Sequence, residues 1–568
     1  MSEDKSVENA AETPESSSPL AEQAEGQGRG SKRARTRRGT RPGFMTWAIA
    51  LFFAGLSAAT WFSNWFEDHA LTNVFTVVFA IDVGLTFLVW LIFFSGHSQT
   101  VRGRVIKSLC LALLAMVVVL RPVRTSGDLL PSFRFFWQAS GKETPPATEV
   151  ASPSQGIDLK TTSATDFAQY LGPDRNGVLP GAALEPDWEQ HPPRQLWRQP
   201  IGAGWSGFVV VNGYAVTMEQ REDQEWVSCY VVESGELVWT HVVAARHDTL
   251  MGGLGPRSTP AIDDGRVYAL GATGQFRCLD GATGELLWDK DLLEEFGVAA
   301  GSDGQEVAWG RSNSPLVVGG QVVIPGGGPS SGPWTSLVAF DKRTGKRLWT
   351  GGDDQISYSS PVVYSIQGVD QIVSVNEKTV SGHALDTGDK LWSLPWKGST
   401  SGPANTSQPM RIDDGRLLVS KGYNMGGAEI LLRRSGDQWQ AEFGWQSGKV
   451  LRTKLTNTLI KDGYAYALND GVLQCVDLAN GERIWKGDRL RHGQPLLVGD
   501  HLLVMSEGGD LHLYDASPSS ESAKPRSVLK DAISGTAWNT LCLTGRRLLV
   551  RTNKEAACYE LPMRKATE

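Results

Sequence analysis

The chain has 568 residues, of which 55 are Lys or Arg and 62 are Asp or Glu, and its net charge is −7. This length accommodates several ordinary domains or one large repeat architecture. The acidic excess argues against nucleic acid as a partner, because phosphate-binding surfaces carry clustered Lys and Arg.

Residues 1–43 contain almost no large apolar side chain and divide into an acidic part and a basic part, the latter lying between Arg29 and Arg41. Such a segment cannot form a core, so we predict a disordered tail. The basic part fits either a nucleic-acid tail or a topology signal beside a membrane segment. The apolar sequence that follows favours the topology signal.

Residues 44–122 contain three apolar runs, at residues 44–66, 71–95 and roughly 105–120. About 17–25 apolar residues suffice to cross a bilayer. The pattern predicts three transmembrane helices, the third being the shortest.

The flanking charges predict the orientation of this anchor, since cytoplasmic loops are enriched in Lys and Arg. The basic tail and the loop with Arg102, Arg104 and Lys107 are then cytoplasmic, although Arg121 and Arg124 beyond the third run count against this. Three crossings give a multi-pass protein of the inner membrane with its C-terminal region in the periplasm. If the third run lay on the membrane surface, that region would be cytoplasmic. A linker rich in Ser, Thr and Pro, residues 139–165, follows the anchor.

A repeat occupies residues 166–562, and its clearest copy spans residues 258–288. Each copy contains four short apolar strands joined by turns with Gly or Asn, which is the content of one propeller blade. Eight copies predict an all-β fold, an eight-bladed β-propeller of four-stranded blades preceded by an α-helical transmembrane anchor. The last copy ends after its third strand, and residues 195–201 can supply the fourth and close the ring.

Most copies end in a tryptophan that we expect to dock between neighbouring blades. These residues are Trp239, Trp288, Trp349, Trp392, Trp445 and Trp485.

Four of the six cysteines fall in the middle of a third strand, where other copies have Ala339 and Ala384. They are Cys229, Cys278, Cys475 and Cys558. Equivalent positions in different blades lie far apart, so we predict small packing residues and no disulfides.

The runs D-G-A-T-G-E-L-L-W at residues 280–288 and D-K-R-T-G-K-R-L-W at residues 341–349 resemble the tryptophan-docking repeat of pyrroloquinoline-quinone (PQQ) dehydrogenases. With the opening Y-L-G-P-D-R-N-G at residues 170–177, the region is similar to the PQQ-like repeat β-propellers. That family includes quinone-dependent enzymes and the assembly scaffold BamB, which binds no quinone, so the resemblance specifies the fold better than the function.

In a propeller, ligand-binding side chains lie near the starts of the innermost strands, at the channel mouth. These positions are Trp205, Arg257, Arg311, Tyr358, Asn405, Thr456, His492 and Trp538. The set suits an anion, a sugar or a peptide end, although a ring of repeats presents polar groups at its axis even without a ligand.

The resemblance implies that a quinone enzyme holds calcium through Glu, Asn or Asp side chains and uses an Asp as general base. A hard cation needs several converging oxygen ligands, and none of the mouth positions carries a carboxylate. Asp303 with Glu306, or Asp353 with Asp354, could reach the mouth from longer loops, but solvated turns explain them better. We predict no catalytic residue, no metal site and no cofactor.

Two functions remain. The first is a membrane-anchored, non-catalytic propeller that binds a protein or another envelope ligand. The second is a membrane-bound quinoprotein dehydrogenase that oxidises an alcohol or a sugar with PQQ and calcium. The absence of carboxylates at the predicted mouth favours the first.

Overall fold

The computed structural model describes residues 39–62, 69–125, 131–137, 157–181, 183–249, 252–299, 307–399, 402 and 404–564. Most of the predicted tail, the acidic loop after the first apolar run and the linker up to residue 156 lie outside these ranges, as do Asp303 and Glu306.

The predicted anchor forms helices α1 (Phe44–Phe62), α2 (His69–Val89), which continues as a π-helical turn (Trp90–Phe94), and α3 (Gln99–Val119). Within the described residues, two helical segments are long and apolar enough to cross a membrane, Phe44–Phe62 and Thr72–Phe94. Helix α3 is not one of them, and its first turns carry the three basic residues of the predicted loop. Three crossings therefore remain a prediction.

The C-terminal region is an eight-bladed β-propeller, as the repeat predicts. Blade 1 contains Val209–Val211, Tyr214–Arg221, Gln224–Val231 and Leu237–Val243, and blade 2 contains Ala261–Asp263, Arg266–Leu270, Gln275–Asp280 and Leu286–Asp291. Blade 3 contains Leu316–Val318, Gln321–Ile324, Leu337–Asp341 and Arg347–Gly351. Blade 4 contains Val362–Ile366, Val369–Val375, Thr379–Ala384 and Lys390–Pro395. Blades 5 and 6 contain Met410–Asp413, Arg416–Lys421, Gly426–Ser435 and Gln438–Ser447; and Leu459–Lys461, Tyr464–Asn469, Val472–Asp477 and Glu482–Arg489.

Blades 7 and 8 also use strands from the N-terminal side of the repeat. Blade 7 contains Val178–Leu179, Gln494–Val498, His501–Met505, Leu511–Asp515 and Ser527–Leu529, and blade 8 contains Cys542–Thr544, Arg547–Arg551, Glu555–Glu560 and Arg194–Pro200. The predicted closure is confirmed, because Arg194–Pro200 pairs antiparallel with Glu555–Glu560. The parallel fifth strand of blade 7 was not predicted.

Smaller elements lie in the connections between strands. They are the two-stranded ladder Asp248–Thr249 with Gly253–Leu254, the helix Leu292–Glu295, the 3₁₀ turn Ser520–Ala523, and a hairpin after α3 that pairs Leu120–Thr125 with Pro131–Phe135.

The tryptophans of the fourth strands pack against the turn between the third and fourth strands of the next blade. Trp239 donates its indole N–H to the carbonyl oxygen of Gly281 at 3.0 Å, and Trp485 donates to Ser517 at 2.9 Å. Trp288 donates to Lys342 and Trp445 to Leu478, at 3.3 and 3.0 Å. These bonds explain the repeated Trp, because each joins one blade to the next.

Two blades vary this contact. Trp349 donates to the Oε1 of Gln321 at 2.9 Å, and Nε2 of that glutamine donates to the carbonyl oxygen of Leu385 in the next blade at 2.7 Å. Trp392 donates to Gln371 of its own blade at 2.7 Å and packs among apolar side chains of blades 4 and 5.

The third-strand position opposite the docking tryptophan holds Cys229, Cys278, Ala339, Cys475 and Cys558 in five of the blades, the tryptophan of blade 8 being Trp197. In blade 4 it holds Gly382, so the sequence alignment of Ala384 with this position is wrong. Ala384 occupies the position of Asp280 instead, because the acidic residue of this copy stands two places later, at Asp386. All six cysteines are free, and the five in the propeller are buried.

The ordered packing of the propeller begins before residue 166. Ile157 and Leu159 are buried in the core shared by blades 1 and 2. Phe167 exchanges backbone hydrogen bonds with Val210, and Gly177 accepts one from Leu497 of blade 7. Residues 157–165, assigned to the linker from their composition, therefore pack on the propeller.

Candidate binding site at the channel mouth

A polar belt joins the blades just before the innermost strands. The backbone N–H of Gly207 donates to Thr259, that of Thr259 to Ser314 and that of Ser314 to Ser360, at 3.0, 3.0 and 2.9 Å to the side-chain oxygens. Gln408 N–H donates to the Oδ1 of Asn457 at 2.9 Å in the same way. These polar groups of the axis are used in contacts between blades.

The belt defines which mouth positions are equivalent. Trp205, Arg257 and Tyr358 each stand two residues before a belt residue. Arg311 and Asn405 stand three residues before one, so the predicted set was misaligned there. The connections between successive blades all differ in length, and counting residues in the sequence could not correct for this.

Two aromatic pairs lie at the mouth. The ring centroids of Trp205 and Trp538 are 4.7 Å apart, and those of Trp309 and Tyr358 are 5.2 Å apart with nearly parallel planes. Trp205 donates its indole N–H to the carbonyl oxygen of Gly252 at 2.7 Å. The indole N–H of Trp538 is buried and has no acceptor among the described residues. Of these four rings, those of Trp309 and Trp538 are partly exposed, whereas Trp205 and Tyr358 are buried.

The two predicted arginines support the loops around them. Arg257 donates to the carbonyl oxygen of Gly253 at 2.9 Å, and burial lowers the pKa of its guanidinium to about 10. Arg311 is buried and donates to the carbonyl oxygen of Gly326 at 2.9 Å. Their contacts to backbone oxygens indicate a structural role for both guanidinium groups.

Asn405, Thr456 and His492 are buried. The amide of Asn405 donates to the carbonyl oxygen of Asn376 at 2.7 Å and thereby fixes the loop between blades. The backbone N–H of His492 donates to Glu507 at 3.1 Å. Trp205 and Tyr358 are buried too, so Arg257 and Trp538 are the predicted mouth positions that are partly exposed.

The sequence analysis missed two features of the mouth. Trp309 lies in the long connection to blade 3, which has no strand periodicity. Tyr423, with a left-handed φ of 58°, carries the ammonium of Lys454 5.5 Å from its ring centroid. Nearby, Lys421 is buried and donates to the carbonyl oxygen of Lys397, and burial lowers the pKa of its ammonium to about 8. The Lys and Arg residues around Tyr423 in the sequence were the signal that could have indicated this part of the mouth.

The carboxylates near the mouth already have cationic or N–H partners. Glu219 accepts from the guanidinium of Arg221 at 2.9 Å, and Glu225 pairs with Arg277. Asp354 accepts from the backbone N–H of Lys378 at 2.9 Å. Among the described residues, no three His, Cys, Asp or Glu side chains form a group that could hold a metal ion. This donor set does not fit a calcium ion beneath a quinone.

The opposite end of the channel is crossed by the segment that carries Y-L-G-P-D-R-N-G. Arg175, 2% exposed, donates to the carbonyl oxygens of Pro315 at 2.8 Å, Pro361 at 3.0 Å and Ser314 at 3.2 Å. A cavity of about 630 Å³ lies between this segment and the inner strands of blades 3 to 6. The motif therefore joins neighbouring blades across the channel.

Comparison with known proteins agrees with this architecture. The family model described as outer membrane protein assembly factor BamB matches residues 223–487. The propeller has the repeat, the docking tryptophans and the ring closure of the PQQ-like repeat β-propellers, and over residues 223–487 the chain is similar to that family.

Individual relatives are similar in sequence to part of the chain. The outer membrane protein assembly factor BamB of Bordetella pertussis (strain Tohama I) is 23% identical over 373 residues, which cover 56% of this chain and 88% of the relative. The protein of that name from Shewanella oneidensis (strain MR-1) is 29% identical over 315 residues, which cover 46% and 75%. A solved structure of a europium-containing methanol dehydrogenase has a TM-score of 0.53 at 11% identity, covering 70% of this chain and 98% of that one. At this identity, the structural likeness shows the fold alone.

Proposed function

We propose that this chain is a membrane-anchored, non-catalytic propeller that holds a protein of the cell envelope at its channel mouth, on the periplasmic side of the inner membrane. The observation that carries the proposal is that the carboxylates and the aromatic rings at the mouth differ in how far their contacts within the propeller occupy them. The carboxylates are paired within the propeller, whereas the rings of Trp309 and Trp538 are partly exposed. Such a surface binds apolar side chains, and the part of the mouth that the structure describes offers no group of carboxylates for a base or a metal ion.

The relatives named as outer membrane protein assembly factors support a protein partner in the envelope. The basic residues before α1 and in the first turns of α3, with no Lys or Arg between α1 and α2, support the periplasmic side.

Site-specific photo-crosslinking in cells tests the binding site. p-Benzoylphenylalanine at Met425, 40% exposed in the mouth loop of blade 5, is expected to give one discrete cross-linked envelope protein. The matched control is Ala479, an exposed residue in a turn at the opposite face. Equal products from both positions, or none from Met425, would contradict the proposal.

A second experiment addresses the enzymatic alternative. The purified chain is titrated with PQQ and Ca²⁺ by calorimetry and assayed for dye-linked oxidation of alcohols and sugars. We expect no saturable heat and no turnover. Saturable binding together with turnover would establish a quinoprotein dehydrogenase instead.

A further inference from the structure

The hairpin that follows α3 has two unlike faces. In its ladder, Leu120 is opposite Phe135 and Pro122 is opposite Phe133, whereas Arg121 is opposite Arg134. Because successive residues of a strand alternate between faces and opposed residues share a face, the apolar pairs belong to one face and the arginine pair to the other. The hairpin is therefore an amphipathic two-stranded sheet.

The apolar residues of this hairpin are exposed. Phe133 is 50% exposed, Phe135 41%, Phe136 53% and Trp137 61%. The rings of Phe135 and Trp137 are stacked, with centroids 4.7 Å apart. A two-stranded hairpin is marginally stable alone in water, and four exposed aromatic rings in one short segment form an apolar surface of the kind that marks a contact with a membrane or a protein.

The hairpin is continuous with a helix of the proposed anchor. Its first residue, Leu120, directly follows the last residue of α3, and the backbone N–H of Phe136 donates to the carbonyl oxygen of Val119 at 2.8 Å. The preceding turns of α3 expose apolar side chains, with Leu113 61% and Val117 74% exposed. The aromatic face thus begins where the exposed apolar surface of the helix ends.

The composition of the hairpin matches the interface between lipid tails and headgroups. Aromatic rings concentrate at this depth, and Arg extends its guanidinium to phosphate groups. Residues 120–137 contain Arg121, Arg124 and Arg134 but a single carboxylate, Asp128. This basic excess is complementary to anionic phospholipids.

We propose that the paired strands Leu120–Thr125 and Pro131–Phe135, with Phe136 and Trp137, are a membrane-surface element that seats its aromatic face in the headgroup layer beside the end of α3. This inference rests on the membrane anchoring in the proposed function. It gives Arg121 and Arg124 a role in lipid contact, which explains why basic residues stand on the side of α3 that the charge pattern assigns to the periplasm. It also fixes the start of the connection to the propeller at the bilayer surface.

Spin-label depth measurements on the full chain test this proposal. The chain is placed in nanodiscs of phosphatidylethanolamine and phosphatidylglycerol, in a Cys110→Ala background because the other cysteines are buried. Nitroxides are attached to Phe133→Cys, Phe135→Cys and, as the matched control, Arg134→Cys. Power saturation then compares the access of oxygen with that of a water-soluble nickel complex.

We expect oxygen to relax the labels at 133 and 135 more strongly than nickel, with the opposite order at 134. A label at Val78→Cys in α2 reports on the anchor separately. If the label at 78 is lipid-facing but those at 133 and 135 are as accessible to nickel as that at 134, the hairpin proposal is wrong and the anchor stands. If the label at 78 is also in water, the anchoring itself is wrong and the hairpin proposal fails with it.

Discussion

The indole N–H of Trp197 donates a hydrogen bond to the carbonyl oxygen of Val232 at 2.8 Å and so joins the last blade of the ring to the first. Trp197 belongs to the strand that completes blade 8, and Val232 follows the third strand of blade 1. The seam between the last and the first blade therefore uses the same contact as the interior of the ring.

Replacement of this tryptophan tests the closure. Trp197→Ala removes a half-buried ring and its hydrogen bond, and we expect a loss of about 3 kcal/mol from the free energy of unfolding. Trp439→Ala, at the outer hairpin of blade 5, removes a ring that is likewise partly buried but does not lie at the seam between the last and the first blade, and as the matched control it should cost less. Denaturant unfolding of the purified full chain measures both. Equal effects would show that the closing strand contributes no special stability.

The docking contact also depends on a glycine in the adjacent turn. Gly284 has φ +77°, and a Cβ atom there would lie 2.6 Å from the ring of Trp239. Gly284→Ala combines backbone strain with this clash, so we expect it to destabilise the propeller by about 3 kcal/mol. Gly213→Ala has a similar φ of +81° and no atom within 4 Å, so about 1 kcal/mol is expected from strain alone. If the two thermal shifts were equal, steric docking would not explain the glycine.

Removal of the Arg175 guanidinium tests whether the N-terminal segment holds blades 3 and 4 together. Arg175→Met leaves the carbonyl groups of Ser314, Pro315 and Pro361 without this donor, and each unsatisfied buried group costs about 1–3 kcal/mol. We expect a lower melting temperature and faster tryptic cleavage after Lys160, which is exposed. Arg194→Met, at an exposed side chain on the closing strand, is the control. Unchanged cleavage would mean that the segment is held without Arg175.

The stability of the propeller should fall in mild acid. Burial, with a smaller contribution from Arg257, lowers the pKa of His247 to about 4. Below about pH 6.5 the imidazole of His247 is protonated in the unfolded chain but stays neutral in the folded chain until the pH approaches 4. The free energy of unfolding is therefore highest above about pH 6.5 and decreases as the pH falls toward 4. The upper bound of this effect is about 3 kcal/mol.

His247→Gln removes the titrating group and should reduce the difference in melting temperature between pH 7.5 and pH 5. His191→Gln, at an exposed histidine, should leave that difference unchanged. A wild-type pH dependence that survives His247→Gln in full would assign it to other groups.

The repeat made the architecture predictable because each blade places the same residue types at the same structural positions. The closing strand followed from a missing fourth strand in the last copy and a spare one before the first. The mouth was less predictable, since its positions are aligned by hydrogen bonds of the polar belt rather than by strand periodicity. Arg311 and Asn405 were displaced by one residue for this reason, and Trp309 lies in a loop without any pattern.

Residues 157–165 show that amino-acid composition alone does not predict whether a segment packs on the propeller. Their Ser and Thr content is typical of a linker, yet Ile157 and Leu159 are enough to bind the segment to the core of blades 1 and 2. Two apolar side chains in a polar stretch give too weak a pattern to predict packing.

The location of the propeller decides whether it can meet envelope partners, and a reporter fusion measures it most directly. Alkaline phosphatase, which is active only outside the cytoplasm, is fused after Glu568 of the full chain, and a parallel fusion carries green fluorescent protein. The account predicts an active phosphatase and a dark fluorescent fusion, as three crossings require. A stable but inactive phosphatase fusion together with a fluorescent partner would place the propeller in the cytoplasm and contradict the proposed function.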